Sequence, residues 1–251
     1  MRRRIERSNP FYRIPRFAFG FELIPEGVRL LDYGCHDGAF GAELTRQRKV
    51  EYVGVDRNRD AVARAPEGVH VSHVTNTLPF ADGYFDVATM FEVLEHLYDQ
   101  DRVLREVHRV LRPAGLLIVS VPRQHALSWL DLANLKFRFR GLHRTYYTLT
   151  HSGAAYRARY VENLDGLVGD VEKEKAWHQH FRESEMRTLL GRNGFRIAEM
   201  DGAGLFSSAF DFLATVFRLG FLFPQSLRNS DDYTFHYRML FCAARKVGAE
   251  R

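Results

Sequence analysis

Two aspartates and two glycines lie at the ends of neighbouring apolar runs. Asp32 closes the run that starts at Val28, and Gly34 and Gly38 follow it. Glycines at such a turn let the backbone approach a ligand, and the free N–H groups of a following helix can bind it. Asp56 closes the next apolar run, 24 residues after Asp32, where a carboxylate accepts hydrogen bonds from a ribose diol. The pattern predicts a nucleoside-binding crevice.

Parallel strands would position these residues, because ligands of open α/β sheets bind outside the carboxyl ends of the strands. From about residue 28, short apolar runs alternate with amphipathic stretches, which is typical of βα units. We therefore predict an α/β fold. The predicted strands are Val28–Asp32, Tyr52–Asp56, Val69–Val74, Phe85–Phe91, Leu116–Val121, Phe195–Met200 and Thr234–Ala244, with helices at Asp101–Leu111 and Glu183–Arg192.

Three regions lie outside this predicted scaffold. They are a basic and aromatic N-terminal extension at 1–24, a long connection at 122–181 and an apolar segment at 203–232. Long connections inside a compact domain are uncommon unless they are functional. We expect 1–251 to form a single domain whose scaffold carries general chemistry and whose helical and loop insertions choose the substrate.

The glycine turn resembles the first motif of class I S-adenosylmethionine-dependent methyltransferases, usually written D-x-G-x-G-x-G. His36 replaces the middle glycine, and histidine is among the residues that tolerate a left-handed backbone. The resemblance is strongest to the small-molecule and lipid branch that includes ubiquinone-biosynthesis methyltransferases, and it implies a Rossmann-like seven-stranded sheet with helices on both faces. Four further segments resemble the family in the expected order: Leu78–Val87, Glu92–Leu97, Leu104–Gly115 and Phe181–Phe195.

The resemblance implies S-adenosylmethionine as the cofactor and in-line displacement at its sulfonium methyl. Asp32 and the Gly34–Gly38 backbone would hold the methionine part, Asp56 the ribose and Arg57 the adenine edge, with Phe91 beside the methyl. Many relatives carry an aspartate near the adenine, and here Thr75 or Asn76 would supply that contact. The expected cofactor residues are Asp32, Gly34, Cys35, Gly38, Asp56, Arg57, Thr75, Asn76 and Phe91.

A group of acidic and histidine residues follows Phe91. Glu92, Glu95 and His96 would share one face of a helix, and His178 or His180 would add a ligand for a divalent ion. This resembles the magnesium cluster of ubiquinone O-methyltransferases and of small-RNA 3′-terminal 2′-O-methyltransferases. The other interpretation is that Glu95 and His96 cap and pack a helix without metal. A plain hydroxyl acceptor needs a base, for which the candidates are Glu95, His96 and His180.

The segment Leu205–Phe223 is strongly apolar, with a narrow polar stripe that includes Asp211 and Arg218. Those two charges argue against a spanning helix. The segment either packs on the sheet or on a second subunit, or it lies at a bilayer interface together with the arginine-rich N-terminal segment. The second alternative predicts a membrane-borne acceptor.

Composition limits the partners and the compartment. The formal charge of +5 suits an anionic partner, but codon usage explains the excess of arginine over lysine as readily as phosphate binding does. Two cysteines and a polar N-terminus predict a cytoplasmic protein, or one peripheral to the inner face of a membrane. We expect a methyltransferase acting on an oxygen of a small, hydrophobic or lipid-linked acceptor. The alternatives are an RNA methyltransferase, which lacks a recognisable RNA-binding module here, and a non-catalytic member that binds a cofactor or partner.

Overall fold

The computed structural model describes residues 9–74, 77–128, 138–162, 178–206, 209–210, 213, 222 and 224–248. Among them, none of the helices has the length and apolarity that crossing a bilayer requires. The apolar segment Leu205–Phe223 lies mostly outside the described residues, so its predicted helix stays a prediction.

Seven strands pair into a single sheet. They are β1 (Arg29–Tyr33), β2 (Glu51–Asp56), β3 (Val71–His73), β4 (Phe85–Phe91), β5 (Leu111–Pro122), β6 (Phe195–Ala203) and β7 (Met239–Lys246). Their order is β3-β2-β1-β4-β5-β7-β6. Strands β1 to β5 are parallel to one another. Strand β7 runs antiparallel to both β5 and β6. The last strand of the chain therefore lies between two earlier ones.

Helices cover both faces of this sheet. They are α1 (Pro15–Leu23), α2 (Ala39–Gln47), α3 (Arg59–Val62), α4 (Gln100–Val110), α5 (Arg140–Thr150), α6 (Gly153–Arg157), α7 (Glu183–Arg192) and α8 (Gln225–Thr234), with a 3₁₀ turn at Leu94–His96 and a π turn at Ala158–Glu162. Successive strand side chains point to opposite faces. Leu31 packs into the core under α4 and α7, and Leu30 into the core under α1 and α2.

The predicted Rossmann-like α/β sheet is confirmed. Strand β4 and helix α7 have the predicted bounds. Helix α4 begins one residue earlier than predicted because the Asp99 side chain caps it by accepting the backbone N–H of Arg102 at 3.0 Å. The strand predicted from Thr234 was wrong at its start. Thr234 ends α8, and Asp231 of that helix accepts the backbone N–H of Leu205 at 3.1 Å, which ties α8 to the end of β6.

Residues 9–24 belong to the core, contrary to the expectation that the N-terminal extension lies outside the scaffold. Phe11, Phe19 and Ile24 are buried and pack in the same cluster as α2 and the sheet. The rings of Phe11 and Phe40 lie 5.4 Å apart between centroids. These buried aromatic residues of the extension cover one face of the sheet.

Helix α2 and strand β2 meet at a glycine. A Cβ placed on Gly41 would lie 2.1 Å from Cζ of Tyr52, so the ring of Tyr52 occupies the space that a side chain would need. Tyr52 is itself buried. This close approach fixes the position of the phenol at the end of the ring.

We expect Gly41→Ala to lower the free energy of unfolding by about 1–3 kcal/mol, because the added methyl forces the tyrosine ring aside. The matched control is Gly191→Ala on α7, where a Cβ would meet nothing within 4 Å. That change should raise the stability by up to about 1 kcal/mol, the difference in helix propensity. Urea unfolding measures both, and a Gly41→Ala variant as stable as the wild type would contradict the packing argument.

Candidate active site

The turn between β1 and α2 has the backbone conformation that its glycines predict. Gly34 and Gly38 have φ of 78°, and His36 between them has φ of 53°, within the left-handed region that histidine tolerates. The backbone N–H of Gly34 donates to the carbonyl oxygen of Val55 at 2.8 Å. A Cβ on Gly34 would lie 2.4 Å from Cγ2 of Val93, so only glycine fits there. The turn is thus held against β2 and against the segment after β4.

Asp56 at the end of β2 fixes the same turn. Its Oδ2 accepts the backbone N–H of His36 at 2.8 Å, and its Oδ1 accepts that of Asn58 at 2.8 Å. Each carboxylate oxygen has two acceptor positions, so both oxygens retain the capacity to accept a hydroxyl group of a ligand. The carboxylate is therefore placed at the rim of the cleft and held in one orientation.

Asp32 is buried at the end of β1, with only 2% of its surface exposed. Tyr52 Oη donates to its Oδ2 at 2.9 Å, and Thr89 Oγ1 donates to its Oδ1 at 2.7 Å. Burial raises the pKa of Asp32 from 3.8 to about 6, while the two hydroxyl groups oppose that rise. The group therefore changes charge close to neutral pH.

Three phenylalanines form a wall on the opposite side of the cleft. The ring centroid of Phe17 lies 5.0 Å from that of Phe40 and 5.5 Å from that of Phe91. The centroids of Phe40 and Phe91 are 5.0 Å apart. The wall combines one residue from each of α1, α2 and β4. The cleft between this wall and the two aspartates has a volume of about 390 Å³, within the range of small-molecule sites.

An ion pair lies beside the wall. Arg16 Nη2 and Glu92 Oε2 are 3.2 Å apart. The Nε of Arg16 is buried and makes no hydrogen bond in the described part of the chain. Glu92 has φ of 56°, a left-handed conformation that is strained for a residue with a side chain. Both residues line the cleft, so a cation and an anion face its interior next to Phe91.

A family model described as a methyltransferase domain matches residues 2–200, which include every cleft residue named above. The chain belongs to the class I S-adenosylmethionine-dependent methyltransferase family. Membership in this family implies S-adenosylmethionine as the cofactor. The cleft fits that molecule, because Asp32 and Asp56 provide negative charge for its sulfonium and ammonium groups and Asp56 retains acceptors for its ribose diol.

Similar sequences share this region of the family. A protein of Mycobacterium tuberculosis named "Probable S-adenosylmethionine-dependent methyltransferase" is 39% identical over 103 residues, which are 39% of this chain and 37% of that protein. The 27-O-demethylrifamycin SV methyltransferase of Amycolatopsis mediterranei is 33% identical over 104 residues, 38% of each chain. The matched part thus spans about two fifths of the length of these relatives.

Solved structures share the fold. A methyltransferase from Methanosarcina mazei has a TM-score of 0.55 at 20% identity, covering 91% of this chain and 97% of that one. The [4+2]-cyclase SpnF has a TM-score of 0.58 at 19% identity, covering 94% and 81%. Because a protein named as a cyclase has this methyltransferase fold, the fold alone does not assign the reaction.

The predicted cofactor residues come together in this family's cleft wherever the structure describes them. Asp32, Gly34, Cys35, Asp56, Arg57 and Phe91 line it. Gly38 caps α2 directly behind the turn. Thr75 and Asn76 lie outside the described residues, although Val74 before them lines the cleft.

The predicted helical face after β4 was wrong. Leu94–His96 is a short 3₁₀ turn, and the left-handed Glu92 lies before it and pairs with Arg16. In the described part of the chain, Glu95, His96 and His178 instead bring one potential ligand atom each within 4.8 Å of one another. The ring of His180 packs edge-on to His178, with centroids 5.6 Å apart. One carboxylate and two imidazoles suit zinc or another transition metal better than magnesium, which prefers oxygen ligands.

Four residues of the site were missed in the sequence. Arg16 and Phe17 come from the N-terminal extension, and Tyr52 and Thr89 hold Asp32. The alternation of basic and aromatic residues in 1–24 was a signal for Arg16 and Phe17, but it did not indicate which of these residues would line the cleft. Tyr52 and Thr89 lie on apolar strands, and the apolar pattern of a strand does not indicate that one hydroxyl group in it has a partner.

The buried carboxyl of Asp32 predicts a pH dependence of stability. Because its pKa is raised in the folded state, the protonated form is favoured there, and this stabilisation is complete below pH 3.8 and is lost as the pH rises through about 6. Relative to Asp32→Asn, which does not titrate, the wild type should lose about 2–3 kcal/mol of unfolding free energy across that window. Urea midpoints of the two proteins across it measure the difference, and parallel pH profiles would contradict the prediction.

Proposed function

We propose that this protein transfers the methyl group of S-adenosylmethionine to an oxygen atom of a small, hydrophobic or lipid-linked acceptor. The observation that carries the proposal is that one cleft is lined by the strand-end carboxylates Asp32 and Asp56 and by the ring of Phe91. The carboxylates suit a cationic nucleoside, and the phenylalanine wall suits an apolar acceptor. The similar 27-O-demethylrifamycin SV methyltransferase is named for an oxygen position, which also supports an oxygen acceptor.

Each residue has a distinct part in this proposal. Asp32 and the Gly34–Gly38 turn hold the methionine end, and Asp56 accepts the ribose hydroxyls. Arg57 covers the adenine edge. When bound, the cofactor supplies an electrophilic methyl on a sulfonium, so the protein needs mainly to hold oxygen, carbon and sulfur in line. Phe91 and its ring neighbours exclude water from that line.

A hydroxyl acceptor must lose its proton as the new C–O bond forms and the C–S bond breaks. His96 lines the cleft, and an imidazole nitrogen can take that proton. Glu95 is fully buried, and one of its carboxylate oxygens lies within 4.8 Å of a ring nitrogen of His96. A carboxylate therefore lies beside the candidate base. His96 is thus our candidate base and Glu95 its positioning residue, while His180 contacts the cluster through His178.

The acceptor test uses His96→Gln. We expect this change to lower kcat on a hydroxyl acceptor by about 10²-fold or more and to leave the dissociation constant of S-adenosylhomocysteine within about twofold. The control is His70→Gln, an exposed histidine outside the cleft, which should leave kcat unchanged. Formation of S-adenosylhomocysteine in a screen of phenols, alcohols and polyketides measures turnover. An unchanged kcat of His96→Gln would show that His96 is not the base.

The same screen decides the metal question. We propose transfer without magnesium, since the Glu95, His96 and His178 donors do not suit that ion. Excess chelator should leave turnover unchanged. Loss of turnover that zinc or manganese restores would instead assign the cluster to a metal.

Arg16 extends the cofactor site toward the N-terminal helix. Its buried Nε has no hydrogen bond in the described residues, and its neighbour Nη2 already contacts one carboxylate. A guanidinium edge of this kind binds a second carboxylate through two parallel hydrogen bonds. We propose that it holds the carboxylate of the methionine end.

We expect Arg16→Gln to weaken S-adenosylhomocysteine binding by about tenfold or more, because the charge-assisted hydrogen bonds to the carboxylate are lost. Binding of 5′-methylthioadenosine, which has no carboxylate, should not change. Arg13→Gln, an exposed arginine three residues earlier, is the matched control. Isothermal titration measures the wild type and both variants, and an equal loss for both ligands would contradict the carboxylate contact.

Two other functions remain as outcomes of these experiments. Binding of S-adenosylmethionine without turnover on any acceptor would favour a non-catalytic member, in keeping with the altered glycine motif at His36. Transfer to RNA, with binding that weakens steeply as salt rises, would favour an RNA methyltransferase. The branch that includes ubiquinone biosynthesis stays a prediction.

A further inference from the structure

Helix α5, in the connection between β5 and α7, carries an exposed apolar face. Phe139, Leu142, Tyr146 and Leu149 are spaced by three, four and three residues, so they lie on one side of the helix. Their exposed fractions are 53%, 71%, 46% and 81%. Scattered apolar side chains are normal on a surface, but four in one row over three helical turns form a contact surface. We call these four residues the α5 face.

A different side of α5 attaches it to its neighbour. The ring of His143 lies 4.7 Å from that of Tyr160, and the ring of Tyr147 lies 5.0 Å from Tyr160 and 6.1 Å from Tyr156. These residues belong to α5, α6 and the π turn that follows. The aromatic rings of this unit therefore pack edge-on against one another, on a different side of the helix from the α5 face.

The charge around the α5 face is mainly positive. Residues 138–162 contain five arginines and one acidic residue, Glu162. Arg140 and Arg144 are exposed on α5, and Arg138 and Arg157 are exposed beside it. An apolar helical face with basic residues around it is the pattern of a helix that lies in the surface of an anionic bilayer.

The other partners fit the α5 face less well. Single-stranded RNA is bound by aromatic rings that stack on bases, and the histidine and tyrosine rings here already pack edge-on against each other. A second copy of the chain would bring the same arginines together across a two-fold axis, where like charges repel. Leucine at two of the four positions suits lipid chains.

We propose that α5 docks this protein on an anionic lipid bilayer, with Phe139, Leu142, Tyr146 and Leu149 inserted among the lipids. Arg140 and Arg144 reach the headgroups through their flexible stems. The docking does not depend on the proposed methyl transfer, and its test involves no turnover.

Flotation of the full chain with lipid vesicles tests the proposal. The wild type should float with vesicles of phosphatidylcholine plus phosphatidylglycerol, and less of it should float with phosphatidylcholine alone or at high salt. The variant Leu142→Gln/Leu149→Gln should reduce the partition coefficient by about tenfold or more, because both side chains lose their apolar contact. The variant Arg140→Gln/Arg144→Gln should remove the preference for phosphatidylglycerol.

The matched control is Thr148→Gln, which places the same amide group at an exposed position of α5 off the apolar face. It should float like the wild type. Circular dichroism should be identical for all variants, since none of these residues is buried.

Several results would overturn the proposal. They are a wild type that stays with the soluble fraction, equal flotation of Leu142→Gln/Leu149→Gln, or equal flotation on both kinds of vesicle. A dimer by light scattering that Leu142→Gln/Leu149→Gln dissociates would assign the face to a second copy. RNA binding that the same variant abolishes would assign it to RNA.

Discussion

The buried carboxylate of Asp32 needs hydrogen-bond donors other than water. Two hydroxyl groups donate to it, one from each of the strands that flank β1. Tyr52 reaches it from β2 and Thr89 from β4. The phenol of Tyr52 can reach Asp32 because Gly41 of α2 has no side chain, which leaves room for the tyrosine ring. One buried anion thus couples the order of three strands to the packing of the helix that follows the glycine turn. A ligand cation next to Asp32 would favour its charged form, so cofactor binding and the packing of the sheet share the same group.

The cleft has two halves of different origin. The sheet supplies the polar half through strand ends and tight turns, which every parallel α/β sheet of this order offers at the same edge. Helix α1 supplies much of the other half, where Phe17 joins the rings of Phe40 and Phe91 and Arg16 faces Glu92. The apolar half of the cleft therefore depends on residues that precede the scaffold.

The parts of this molecule that follow from local chemistry were predictable. Parallel strands buried on both faces give continuous apolar runs, and the glycine turn follows from the positive φ that it requires. The bounds of β4 and α7 were correct for this reason. The contact of Arg16 with Glu92 joins residues far apart in the chain, and no local pattern sets its register. The segment after β4 was predicted as a helix from spacing alone, whereas Glu92 adopts φ of 56° because its N–H is held by the carbonyl of Ser120 on β5 at 3.0 Å.

The position of β7 affects how the chain folds as it leaves the ribosome. β7 pairs with β5 on one side and with β6 on the other, and these pairings span eight residues of β6 and seven of β5. Before Met239–Lys246 pairs, β6 has no neighbouring strand and the backbone groups at one edge of β5 are unpaired. Such an edge can pair with other unfolded chains. Lys246 then closes the assembly by donating to the carbonyl oxygens of His108 and Leu111 at the end of α4. Pairing of β7 is therefore the step that covers the edge of β5 and gives β6 its neighbour, which protects the sheet from aggregation.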